Sequence, residues 1–285
     1  MQHLTSLKML DIYGCEELDL FSGESDDGTQ CVTTLQELSI SVDHRLITLP
    51  KLIGNVTPLH NLYIHSCPNL TSLPEGIGNL TSIRELSILD CPNLNSLPEW
   101  IGNLTSLQRL HIREYPNLTS LPEGIGNLTS LQSLRISDCP NLTSLPEGIG
   151  NLTSIRELSL DCNLNSLPEW IGNLTSLQSL HIGECPNLTS LPEGIGNLTS
   201  LQSLHISNFP NLTSLPEGIG NLTSLQSLDI SDCPNLTSLP KGIGKLTSLQ
   251  TLAIWNCPHL KERCQEGIGE DWHKIAHIPN FHNWG

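Results

Sequence analysis

Eighteen consecutive residues, NLTSLPEGIGNLTSLQSL, occur verbatim three times, at 117–134, 187–204 and 211–228. Such repetition implies one short supersecondary motif stacked on copies of itself, because a motif of this size cannot bury its apolar residues alone. Repeats opening on an LTSL-like tetrad begin at Leu4, Val32, Val56, Leu80, Leu104, Leu128, Leu152, Leu174, Leu198, Leu222 and Leu246. From Val32 onward the spacing is 24 residues, except for a single repeat of 22 that starts at Leu152. The 285 residues are therefore read as one elongated array rather than as separate globular domains.

Within a repeat the apolar residues follow L-x-x-L-x-I-x-x-C-x-x-L, as at Leu131, Leu134, Ile136, Cys139 and Leu142. The period-2 alternation about Leu134 and Ile136 predicts a short strand with one face inward. The second half, LPEGIGN, turns the chain back. Pro146 fixes φ and can open a helical turn, while Gly148 and Gly150 weaken any long helix, so short 3₁₀ or single-turn helices are expected there. Stacked strands then run parallel at about 4.8 Å. The predicted class is an α/β solenoid, a curved horseshoe with a parallel β-sheet on its concave face and short turns on the convex side.

These residues resemble the leucine-rich repeats of plant nucleotide-binding disease-resistance receptors. The Cys-Pro-x-Leu and Leu-Pro-x-x-Ile segments are similar to the intracellular repeats of that family, and the ending CPHLKERCQEGIGEDWHKIAHIPN at 257–280 looks like the tail of its coiled-coil class. The resemblance spans nearly the whole chain but only the last domain of such a receptor. It implies a solenoid over 1–260, with an irregular acidic insertion at 16–31, and a capping tail at 261–285. It also implies a protein ligand, a pathogen effector or a host protein, and restraint of an intramolecular nucleotide-binding domain. The phosphate-binding motif of that domain, G-x-x-x-x-G-K-[ST], does not occur; GIGKLTS at 242–248 has the wrong glycine spacing and places Leu246 after the lysine. The expected location is cytoplasmic or nuclear, because the opening MQHLTSLKMLDIYG lacks the pattern of a secretory signal. An extracellular receptor or inhibitor ectodomain, and a free-standing scaffold or decoy, are the competing readings.

A net charge of −16 disfavours nucleic acid and anionic lipid as partners. No G-x-S-x-G or H-E-x-x-H occurs, so no enzyme and no cofactor is predicted. Of ten cysteines, Cys15, Cys67, Cys91, Cys139, Cys162, Cys185, Cys233 and Cys257 share one slot, which Tyr115 and Phe209 fill elsewhere. A residue interchangeable with an aromatic ring is used for burial, and reduced thiols are expected. Cys257, Cys264, His273 and His277 miss the spacing of a zinc finger and are assigned no metal. In the tail, Trp272, Ile275, Ile278, Phe281 and Trp284 are expected to cover the last core. Glu75, Glu99, Glu123, Glu147, Glu169, Glu193 and Glu217 share another slot and are read as a solvated acidic column. The Asn-x-Ser/Thr triplets, such as Asn79-Leu80-Thr81 and Asn117-Leu118-Thr119, recur because the repeat does.

Specificity can be written only at the strand positions that face outward, since these vary without disturbing the stack. The ligand-binding set expected on the concave face is Tyr63, His65, Arg109, His111, Arg113, Arg135, His181, His205, Asp229 and Trp255. Arg109, His111, Arg113 and Arg135 form a predicted cationic focus in an acidic molecule. His181, His205 and Asp229 fall in one column and could bind a metal or respond to pH. Leu4, Leu7 and Leu10 lack a covering neighbour, which predicts N-terminal coils that open first.

Overall fold

Each repeat becomes one coil: a strand of five to seven residues whose second and fourth side chains turn inward, then a return through a 3₁₀ turn. The computed structural model describes residues 7–14 and 34–284, so Leu4, Cys15 and the loop expected at 16–31 lie outside the described residues. The chain divides into two compact units, Met1–Asn141 and Leu142–Gly285. In the first, β1 (Met9–Tyr13), β2 (Glu37–Ser41), β3 (Asn61–His65), β4 (Glu85–Leu89), β5 (Arg109–Arg113) and β6 (Ser133–Cys139) pair in chain order, all parallel. In the second, β7 (Glu157–Cys162), β8 (Ser179–Gly183), β9 (Ser203–Ser207), β10 (Ser227–Ser231), β11 (Thr251–Trp255) and β12 (Asn280–Trp284) do the same. The solenoid class predicted from the repeat is the class observed.

The turns are 3₁₀ for the expected reasons. Glu123–Asn127 in the first unit and Glu193–Asn197 in the second each follow a proline cap and hold two glycines. Close packing fixes some of these glycines: a Cβ on Gly196 would lie 2.5 Å from the carbonyl oxygen of Gly218 in the next coil. The glutamate column is more than a solvated face, which corrects the sequence reading. Oε2 of Glu99, Glu169 and Glu193 accepts the backbone N–H of Gly124, Gly194 and Gly218 at 3.2, 2.8 and 2.9 Å. Glu217 accepts from Lys241 and Gly242, and these two amides hold its carboxyl below the usual range. Helical turns leave their first N–H groups without internal partners, and a glutamate from the preceding coil supplies the acceptor.

Cores are dry. Leu128, Leu131, Leu134, Ile136 and Cys139 are fully buried, as are Leu198, Leu201, Leu204, Ile206 and Phe209 in the second unit. Burial lifts the Cys139 and Cys185 thiols to about 11, and such thiols are poor nucleophiles. Asp43 also occupies the cysteine slot; its buried Oδ1 accepts the N–H of Arg45 at 2.9 Å and of Leu46 at 3.0 Å.

At the strand exits, Val42, Ser66, Asp90, Glu114 and Asp138, and in the second unit Glu184, Asn208, Asp232 and Asn256, have φ between 47° and 58°. The left-handed conformation costs an L-residue about 1–2 kcal/mol. A further ladder bond offsets it, as when Asp90 N–H donates to Arg113 O at 3.0 Å and Asp232 N–H to Trp255 O at 3.0 Å. The 22-residue repeat lacks this residue, and β7 runs through Asp161 directly into Cys162.

The tail contributes α1 (Pro258–Arg263), α2 (Trp272–Ile275) and β12. Ile275 and Ile278 are buried, whereas Trp284 is 43% exposed. Trp284 therefore does not cover the core as expected, because β12 joins the sheet with Trp284 beside Trp255 on the open face. Asp271 secures the tail. Its Oδ2 accepts Leu239 N–H at 2.9 Å, and its Oδ1 meets Arg263 Nη2 at 3.0 Å and Lys274 Nζ at 2.8 Å. Burial alone would raise this carboxyl, but the two cations and the amide outweigh it and hold it below its ordinary range.

Candidate functional site

Strand positions one, three and five project from the sheet, and register sets them beside their counterparts on neighbouring strands. In the first unit Tyr63 and His65 share β3, with ring centroids 5.9 Å apart. Partial burial and the carboxylates of Glu85 and Glu37 raise the Tyr63 phenol, while burial lowers His65, whose Nε2 lies 3.2 Å from Ser87 Oγ. His111 is likewise lowered by burial and by Arg135 and Arg113. The expected cationic focus is partly neutralised. Arg109 Nη1 lies 3.4 Å from Glu85 Oε2, and Arg113 contacts Asp138 Oδ2 and Glu114 Oε1 at 3.0 Å each. Glu114 escaped sequence reasoning because it is a turn residue, brought to the strand face by its left-handed backbone.

In the second unit, register places His181 beside His205 and His205 beside Asp229. The imidazoles stack, with centroids 4.5 Å apart and planes 24° from parallel. His181 Nε2 lies 2.6 Å from Asp161 Oδ1, and His205 Nδ1 lies 3.3 Å from Asp229 Oδ2. Each ring thus serves its own carboxylate, and the column does not close on a common metal point. Among the described residues no group of three or more His, Cys, Asp or Glu side chains is placed to hold a metal ion. Sequence reasoning missed Asp161. The signal was the short repeat: losing the left-handed position moves an aspartate from the turn into the last exposed strand position. Gly183 makes room for it, since a Cβ there would meet Asp161 Oδ1 at 2.3 Å and His181 Nε2 at 3.3 Å. Trp255 is 48% exposed, and its ring lies 4.8 Å from that of Trp284. None of these rows forms an enclosed catalytic cleft; what they offer is an open surface of aromatic, basic and acidic groups.

A family model described as a leucine-rich repeat region matches residues 88–165 and 160–285. Among curated proteins, the disease resistance protein RGA2 of Solanum bulbocastanum is 76% identical over 21 residues, a stretch covering 7% of this chain and 2% of that protein. The chain thus matches only a small fraction of that relative's length. Among solved structures, the leucine-rich repeat domain of the type III effector XopL aligns at a TM-score of 0.64 and 24% identity, over 84% of this chain and 73% of that one. The leucine-rich repeat ectodomain of the Arabidopsis thaliana receptor kinase GASSHO1/SCHENGEN3, solved with CASPARIAN STRIP INTEGRITY FACTOR 2, aligns at 0.66 and 22% identity, over 98% of this chain and 35% of that one. At these identities the structures show the fold alone. No helix among the described residues is long and apolar enough to cross a membrane.

Proposed function

Because the chain belongs to the leucine-rich repeat family, a family of protein-interaction modules, we propose that it is the recognition module of an intracellular plant immune receptor. It binds a protein ligand, a pathogen effector or a modified host protein, through the exposed faces of its strands, and restrains a nucleotide-binding domain in the full receptor. The observation that carries this reading is the division of labour within each coil. Buried and turn positions repeat almost unchanged, while Tyr63, His65, Arg109, His111, Arg113 and Arg135 in one unit, and His181, His205, Asp229 and Trp255 in the other, differ from coil to coil. Tyr, Trp and Arg dominate the energetics of protein interfaces. The stretch shared with RGA2 supports the immune assignment.

The test is binding of the purified chain to a panel of plant-pathogen effectors by biolayer interferometry. A binder is expected whose affinity falls at least about tenfold in Arg109→Ala/Arg113→Ala/Arg135→Ala and holds in Glu75→Gln/Glu147→Gln, which changes 3₁₀ turns rather than strand faces. Equal losses in both variants would remove the strand faces from the recognition role.

A further inference from the structure

We propose that the exposed face of β10, β11 and β12 takes up a cationic side chain, an arginine or lysine, presented by an extended segment of a partner protein. This deepens the recognition reading and rests on it only for the partner being a protein.

The surface is built by register. Ser231, Trp255 and Trp284 form one outward row, and Asp229, Ala253 and His282 the next. Two large indoles, 48% and 43% exposed, therefore stand side by side with centroids 4.8 Å apart and planes at 47°. His282 lies flat against Trp284 at 4.6 Å and 8°, which steadies that ring while leaving Trp284 open to a partner. Beside the indoles, the inner row falls to the single methyl of Ala253 between Asp229 and His282. A partner side chain can lie there with aromatic faces along one flank and a carboxylate at one end.

Charge identifies the occupant. No lysine or arginine occurs in β7 to β12, while register sets Asp229 beside Ala253, one outward position from Trp255. Asp229 presents a reachable carboxylate: its side chain is 36% exposed and its Oδ2 meets only His205, at 3.3 Å, while Oδ1 is buried. A guanidinium or ammonium group satisfies both halves of the site. Its charge is attracted to the electron-rich indole faces, and its N–H groups donate to the carboxylate. Arginine suits it best, being planar and weakly hydrated. An aliphatic segment would use the indoles alone and have no need of Asp229.

The experiment uses the full chain with its tryptophans labelled with nitrogen-15; the five residues give five indole N–H signals. The probe is a capped Gly-Arg-Gly-Arg-Gly peptide, with the citrulline version as its uncharged counterpart. Trp255→Phe and Trp284→Phe assign the two signals of interest. Those two should move on titration with the arginine peptide while Trp100 and Trp170 stay fixed, and the citrulline peptide should bind at least about tenfold more weakly. Asp229→Asn should raise Kd about three- to tenfold, whereas Glu147→Gln, an equal change of charge on a 3₁₀ turn, should not change it. Unchanged peptide-free indole positions establish that a variant is folded. Equal binding of the two peptides, equal movement of all five indoles, equal effects of the two charge variants, or no movement at all would each overturn the proposal. None of these results bears on effector binding through Arg109, Arg113 and Arg135, so the two readings fail separately.

Discussion

The outward faces of the two units are written on nearly identical coils, yet their chemistry is opposite. In the first, Arg109 and Arg113 lie against Glu85, Glu114 and Asp138 in exposed cross-strand pairs. In the second, β7 to β12 present histidine, aspartate and tryptophan with no fixed cation. Exposed pairs contribute about 0–1 kcal/mol, so the difference barely touches stability and is available for recognition. The unit ends contrast as well. In β1 the inward-facing Leu10 is only half-buried, whereas the second unit finishes on the buried Asp271 cluster. Variation at open faces is cheap, while an end must be closed by particular contacts.

The largest test of that contrast is Asp271→Ala. It leaves Arg263 and Lys274 without their shared carboxylate and strips the acceptor from Leu239 N–H, and should cost about 3–5 kcal/mol in urea unfolding. A loss below about 1 kcal/mol would mean that the tail is not anchored there. The same carboxylate gives an acid limb. Its folded pKa lies below the unfolded value of about 3.9, so its stabilisation is complete above that pH and is lost as pH falls through the folded value. Asp271→Asn should flatten stability against pH in that window, seen by thermal melts between about pH 2 and 5.

A smaller effect is expected at one core slot, where the first unit has Tyr115 and the second Phe209. Both are fully buried, and the Tyr115 hydroxyl, although the Ser96 backbone acts on it, completes no hydrogen bond of normal geometry among the described residues. Phe209→Tyr should therefore cost about 1–3 kcal/mol, and Tyr115→Phe should be neutral or stabilising by up to about 1 kcal/mol. A marked loss in Tyr115→Phe would reveal a partner for the hydroxyl. The smallest free-energy difference belongs to β1. By hydrogen exchange its amides should open before those of β11, whose Leu252 and Ile254 are fully buried. Equal protection in the two strands would abolish the contrast between the ends.

Much of this molecule was legible. Period-2 alternation located the strands, Pro and Gly located the 3₁₀ turns, and the shared slot of Cys67, Cys139 and Cys233 identified buried thiols. The outward columns containing His181, His205 and Asp229 were legible too, because equal spacing fixes which residues become neighbours. Three features were not. The glutamate bridges need the separation between one coil's side chain and the next coil's amide, which no spacing encodes. The left-handed exits use valine, serine, acids and asparagine, so no single residue type marks them. The role of Trp284 depended on whether the tail covers the core or extends the sheet, and both fit an aromatic residue near an open end.

By itself, then, the sequence determined the coil: which residues face inward and where the chain turns. It could do so because these are properties of one repeat and its period. Tertiary structure alone decided which outward groups touch. Removing two residues from the 24-residue period brought Asp161 within 2.6 Å of His181, with Gly183 leaving the space, and β12 pairing set Trp284 against Trp255. Contacts between coils depend on register and backbone hand at each strand exit, and a shift of one position exchanges a turn residue for a surface residue.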